Sequence, residues 1–258
     1  FVSTLYGQEL DVNRYRTING AYNNLEHVQW GAAGEHLQLM VPLAYSDSIA
    51  APAGAERPNP RDISNNVFTQ VNNTTDALQL SDFCWAWGPF LDPDIGLTPD
   101  GQEFLPVSVP QGDRWFDPNS TGQMIIPMMR NVFDPATGTS PQNPRRHPNM
   151  ITAYIDGSGV YGSDEERANW LRTFEGGKLK VSAGNLLPFN TATGAYDDPA
   201  DHSVPEMDDP IRLSDKHFVA GDPRANENIL LLAFHTVFVR EHNRLCDELA
   251  LEHPEWTD

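Results

Sequence analysis

Apolar residues recur at helical spacing in only a few stretches of this chain. The clearest runs from Pro223 to about Glu252, where "GDPRANENILLLAFHTVFVREHNRL" puts Leu231, Phe234 and Phe238 on one stripe. Asp222 is a good N-cap for that helix, and Pro223 suits its first position, where a missing N–H costs nothing. Shorter helical patterns cover "DEERANWLRTF" and the amphipathic "RDISNNVFTQV". Alternation is scarce, and "PVSVP" predicts a single short strand. Gly, Asn and Pro punctuate the first 80 residues, which predicts ordered loop with short helices. Residues 99 to 149 read the same way, with "NPRRHPN" as a turn. No internal repeat or low-complexity tract breaks this picture: a mainly α fold, with long ordered loops and few short strands, in one domain.

One apolar stretch conflicts with itself. "WAWGPFLDPDIGLT" reads as a helix running into acidic residues, yet it carries Pro89 and, one turn later, Pro93. A proline inside a helix removes a backbone hydrogen bond and clashes with the preceding turn, at a cost of about 3 kcal/mol.

Composition narrows the chemistry. A chain of 258 residues at 39% apolar content can bury a substantial core. The formal charge of −19, from 36 acids against 17 bases, repels phosphate backbones and anionic lipid, which argues against nucleic acid and membrane surfaces as partners and favours solubility or cation binding. The longest apolar run, "ILLLAFHTVFV", is interrupted by His235 and soon followed by Arg240 and Glu241, so it does not predict a membrane span. Cys84 and Cys246 lack metal-ligand spacing, and both are expected to be buried apolar thiols. The sequence opens at Phe1 with no basic-then-apolar leader, which fits either a processed secreted protein or a fragment.

Two constellations carry candidate chemistry. Arg224 and Glu227, three apart in the first turns of the long helix, project a cation and a carboxylate together beside an apolar wall, as a local ion pair or as a site. In "TAYIDGSGVYGS", Thr152, Tyr154, Asp156 and Ser158 recur at every second residue, so that side-chain and carbonyl oxygens can converge on a hard cation. Asp94, from "LDPD", could add a second carboxylate, although an Asp-Gly-Ser sequence also makes a plain turn.

Together these segments resemble one family. "YRTINGAYNNL", "WGAAG", "RPNPRDISN", "ITAYIDGSGVYGS" and the long-helix motif are similar, in order, to the animal-type haem peroxidases of the peroxidase–cyclooxygenase superfamily, its bacterial members above all. The resemblance runs from about Tyr15 to the end of the chain. It implies that Asp92 and Glu227 are the carboxylates that form ester bonds to haem, that Arg224 is the distal catalytic arginine, and that Asp94, Thr152, Tyr154, Asp156 and Ser158 hold Ca²⁺. It also places Pro89 and Pro93 on the distal side of the haem, where the family carries glutamine and histidine.

That departure decides what the resemblance can imply. The distal imidazole of the family moves a proton between the peroxide oxygens, general acid–base work that contributes about 10²–10⁴-fold. Proline cannot do this, while Arg224 could still stabilise developing charge. The family's axial histidine belongs to a C-terminal half expected outside residues 1–258, and His235 and His242 belong to the helix motif instead. The implied function is a secreted or cell-surface haem peroxidase that uses hydrogen peroxide to oxidise a small electron donor, completed by a further C-terminal part. The alternatives are an impaired pseudoperoxidase and a calcium-stabilised structural or adhesive module of a larger protein.

Overall fold

The computed structural model describes residues 4–5, 8–9, 15–54, 56–208 and 214–258. The chain divides into two compact units, one made of Phe1–Glu35, Ser81–Leu97 and Asn149–Asp258, the other of His36–Leu80 and Thr98–Pro148. A two-residue antiparallel pair, β1 (Thr4–Leu5) and β2 (Gln8–Glu9), precedes the first described loops.

The second unit is mostly loop, held by polar anchors. Its helix α1 (Pro60–Val67) starts where Asn59 Oδ1 accepts the N–H groups of Arg61 and Asp62, and it buries no residue. What fixes it is Asp113, whose carboxylate is fully enclosed and accepts Arg61 Nε at 2.6 Å, Arg61 Nη2 at 3.1 Å and Asn65 Nδ2 at 2.7 Å. Nearby, buried Asp117 accepts the main-chain N–H groups of Gly112, Thr121 and Gly122 and the Thr121 hydroxyl. These bonds to the ionised form hold its carboxyl down at about 2. Of the unit's strands, β3 (Asp100–Phe104) pairs antiparallel with β6 (Met129–Asn131), and β4 (Val107–Ser108) with β5 (Ile125–Ile126). Strand β4 is the one expected in "PVSVP". The expected turn at "NPRRHPN" is instead an extended segment: Pro148 bridges His36, and Arg145 reaches Glu103 at 2.6 Å. Its two prolines favour extension over reversal.

The first unit holds the apolar core. Helix α2 (Asp82–Leu91) begins at Ser81, whose hydroxyl accepts the Phe83 N–H, and it runs on through Pro89. The helix tolerates Pro89 because the unbonded carbonyl this leaves belongs to Trp85, a residue 62% exposed. Pro93 lies in the 3₁₀ turn Asp92–Asp94 that follows, at an initial position where no N–H is required. Helices α3 (Ser158–Tyr161) and α4 (Glu165–Leu171) come next, then α5 (Ile229–Glu252). The single helix expected from Pro223 is interrupted. Pro223–Asn226 form a 3₁₀ turn capped by Asp222, and Asn228, in extended conformation, accepts the Leu231 N–H at 2.9 Å to start α5 afresh. Two good N-caps six residues apart compete, and each starts its own helix.

Helix α5 buries Leu231, His235 and Val239, an i, i+4, i+8 row, against Phe90, Val160, Leu171, Leu187 and Val219. Burial of a side chain such as Leu231 stabilises the fold by about 1.5–3 kcal/mol. Phe90 stacks on Phe238 with centroids 4.7 Å apart, which fastens α2 to α5. Gly221 lies so close to α3 that a Cβ there would collide with Ser158 O and Gly162 N. The cysteines depart from expectation: Cys84 is exposed and Cys246 only half-buried. Cys84 falls on the outer face of α2, opposite Ala86 and Phe90, so helical phase sets its exposure.

Candidate functional site

The oxygen cluster is built by the turn into α3. Gly157 takes φ +78°, a conformation natural to glycine, and the reversal points the first N–H groups of α3 at Asp94. Asp94 Oδ2 accepts the Gly157 N–H at 3.0 Å, and Oδ1 accepts the Gly159 N–H at 2.9 Å and the Ser158 hydroxyl at 3.1 Å. Asp156 Oδ1 accepts the Thr152 hydroxyl at 3.0 Å and the Ser158 N–H at 3.1 Å. Tyr154 joins through its carbonyl, which lies 3.5 Å from Thr152 Oγ1, while its phenol turns away to donate to Trp30 O. All five residues singled out in the sequence therefore meet. Asp156 Oδ2 is buried without a hydrogen bond, and so is Arg16 Nε, 3.4 Å away. Burial pushes the Asp156 carboxyl above its ordinary range, and Arg16 only partly offsets this. Among the described residues no three His, Cys, Asp or Glu side chains gather as a metal group, so the cluster's donors are two carboxylates, two hydroxyls and a carbonyl, a set suited to a hard cation.

Arg224 sits on the other side of the 3₁₀ turn Asp92–Asp94. Its Nε and Nη2 each donate at 2.8 Å to the carboxylate of Asp222, which is buried. Nη1 donates to Gly96 O at 3.0 Å and Nη2 to Pro93 O at 3.4 Å. The ion pair read from sequence as Arg224 with Glu227 is thus Arg224 with Asp222. The i, i+2 spacing works because the turn is 3₁₀ and Asp222, as its cap, folds back over it. Burial alone would lower the guanidinium's pKa, and the Asp222 contact more than reverses that.

Asp92 and Glu227 are exposed, and neither side-chain carboxylate has a hydrogen bond or ion pair among the described residues. Each lies within electrostatic reach of the other and of Arg224. Burial of its carboxyl, reinforced by neighbouring acids and opposed by Arg224, pushes Glu227 up. Pro93 is buried and Pro89 half-buried, so no titratable side chain stands at either position. His235 is fully enclosed: Nδ1 faces Leu231 O at 2.9 Å and Nε2 has no partner. Burial pushes its pKa down.

With this geometry in place, comparison with known proteins is direct. The family model described as animal haem peroxidase matches residues 15–258. The chain belongs to the animal haem peroxidase family. It is 33% identical over 245 residues to Dual oxidase 1 of Canis lupus familiaris, covering 93% of this chain but 16% of that protein. Peroxidase A from Dictyostelium discoideum superposes with a TM-score of 0.78 at 27% identity, over 95% of this chain and 48% of that one. The fatty acid alpha-dioxygenase of Arabidopsis thaliana, at 19% identity and a TM-score of 0.67 over 100% of this chain and 35% of that one, shares the fold. The chain thus spans a minor part of the dual oxidase it matches.

Sequence reasoning missed Asp222 as the arginine's partner and Arg16 as the cation facing Asp156. The first had a signal in "GDPR", an acid at a helix cap two residues before an arginine; the second, 140 positions away, had none.

Proposed function

We propose that residues 1–258 form the distal part of one haem peroxidase domain, in which hydrogen peroxide oxidises a small electron donor through a site altered at Pro89 and Pro93. The observation that carries this reading is the pair of unengaged carboxylates, Asp92 and Glu227, exposed and within electrostatic reach of each other and of Arg224. Two exposed acids beside one cation fit a macrocycle held at its edge by ester links. When bound, haem supplies the redox chemistry.

The chain's own residues then have definite roles. Arg224, held by Asp222, keeps a positive charge beside the distal turn and stabilises negative charge as the O–O bond breaks. Pro93 presents no proton carrier, and an esterified Asp92 cannot act as one, so proton transfer is left to water and is slow. That feature specifically favours a second reading, a pseudoperoxidase that binds haem but turns over poorly. Asp94, Thr152, Tyr154, Asp156 and Ser158 are proposed as a Ca²⁺ site, supported by the buried, unbonded Asp156 Oδ2. A histidine that would hold the haem iron is proposed to lie outside these residues, which the 48% coverage of the Dictyostelium peroxidase supports. An extracellular or cell-surface location rests on the family resemblance. Among the described residues no helix is long and apolar enough to cross a membrane.

The test is haem retention in the complete protein. A Soret band that survives denaturing chromatography, and is progressively lost with Asp92→Asn and Glu227→Gln, is expected. Haem that extracts freely from the unaltered protein would refute the ester links, and absence of haem would favour the structural module.

A further inference from the structure

Bases are scarce in this chain, 17 against 36 acids, and lysine occurs only at positions 178, 180 and 216. Four of the bases, Lys178, Lys180, Arg240 and Arg244, nevertheless line a single cleft of about 570 Å³. Two elements bring them together. Arg240, Asn243, Arg244 and Asp247 occupy i, i+3, i+4 and i+7 of α5, which is one helix face. Asn243 accepts the Leu179 N–H at 2.8 Å and donates to the Leu179 carbonyl at 3.0 Å, which pins an extended segment along that face. Because Leu179 is buried, its neighbours Lys178 and Lys180 both project outward into the cleft.

Two of the four charges are already neutralised. Lys178 meets Asp247 at 2.5 Å, and Arg244 lies between Glu241 and Glu248. The other two have no carboxylate partner among the described residues. Lys180 rests over the Trp170 ring at 4.4 Å, and burial pushes its ammonium down. Arg240 donates Nε and Nη2 to the carbonyls of Asn185 and Gly184, which leaves Nη1 and the full positive charge. In a chain so rich in acids, two adjoining cations without acid partners mark a place where negative charge is supplied from outside.

We propose that this cleft is a binding site for a small oxyanion of the phosphate or sulfate class, held by Lys180 and Arg240. The net charge of −19 limits the ligand's size. A long polyanion would extend over acidic surface and be repelled, whereas a small anion stays within about one Debye length, ~10 Å at 0.1 M salt, of the local cations. Arg240 Nη1, left free by the carbonyl contacts, supplies charge-assisted donors to an oxyanion, and Lys180 adds a compact charge. The site is independent of the distal residues described above.

Isothermal titration with inorganic phosphate and sulfate at constant ionic strength tests it. Saturable binding is expected, weakened about 10-fold or more by Lys180→Gln and by Arg240→Gln. Arg240→Lys, which keeps the charge but loses the Nη1 donor and the carbonyl contacts that aim it, should retain part of the affinity, and melting curves should show each variant folded. Lys216→Gln makes the same charge change outside the cleft and should leave affinity unaltered. Phenyl phosphate separates the sources of the anion: tighter binding than free phosphate indicates an ester ligand, and weaker binding the free ion. No saturable binding of phosphate or sulfate, equal loss in Lys216→Gln, or binding of heparin without binding of either small ion would overturn the proposal.

Discussion

Arg224 and Asp222 form a two-pronged ion pair, with both carboxylate oxygens engaged at 2.8 Å and side-chain exposures of 14% and 2%. Removal of one partner leaves the other charge enclosed. Asp222→Ala should destabilise the protein by about 3–5 kcal/mol, and Asp222→Ala combined with Arg224→Met should recover part of that loss. Urea unfolding of the two single variants and the double variant measures the coupling, and purely additive losses would contradict the pairing.

Ca²⁺ should bind the oxygen cluster and raise stability by about 2.7 kcal/mol when present at 100 times its dissociation constant. Chelation should lower the melting temperature by the corresponding amount. Asp156→Ala should weaken calcium binding roughly 10-fold or more by removing one of two carboxylates. Elemental analysis after dialysis, paired with melting curves, checks both, and an unaltered affinity in Asp156→Ala would exclude the cluster.

Acid should act first on the loop-rich unit. Asp117 has its carboxyl at about 2 in the folded chain, against 3.8 when free. Between these values the unfolded chain binds more protons, so the stability this group contributes is complete above about pH 4 and is lost as pH falls toward 2. Asp113, held low first by Arg61 and then by Asn65, acts in the same direction. The urea midpoint should therefore drop between pH 5 and 2. Asp117→Asn should be less stable at pH 6 and show a shallower acid dependence.

In the complete haem-loaded protein, Pro93→His together with Pro89→Gln should accelerate peroxide-driven spectral change by roughly 10²-fold. Stopped-flow mixing with peroxide measures this. If the proline-bearing and doubly substituted proteins react at equal rates, the turn does not face the reacting oxygen atoms.

The oxygen cluster was legible because four of its five residues lie at every second position of one segment, so local geometry nearly determines their meeting. Asp94 joins them from more than sixty residues away, and the sequence offered it as an acid in "LDPD" that could add a second carboxylate, a reading the family's motif order then supported. The long α5 was legible from its stripe, but its true start was not: "RANEN" has the propensity to continue a helix, and Asn228 prevails only as a cap. The anchoring of α1 by Asp113 was invisible, since nothing in "DRWFD" marks which distant arginine will arrive. The basic cleft was equally hidden, because Lys180 and Arg240 become neighbours only once Asn243 has pinned the intervening segment.

The bare backbone at Gly221 makes a rigid joint. No side chain cushions its contact with Ser158 and Gly162, and the next residue, Asp222, donates its N–H to Gly159 O at 3.1 Å while gripping Arg224 with its carboxylate. The proposed cation site and the carboxylate clamp on Arg224 therefore share one stretch of backbone, from Gly159 through Asp222 to the guanidinium.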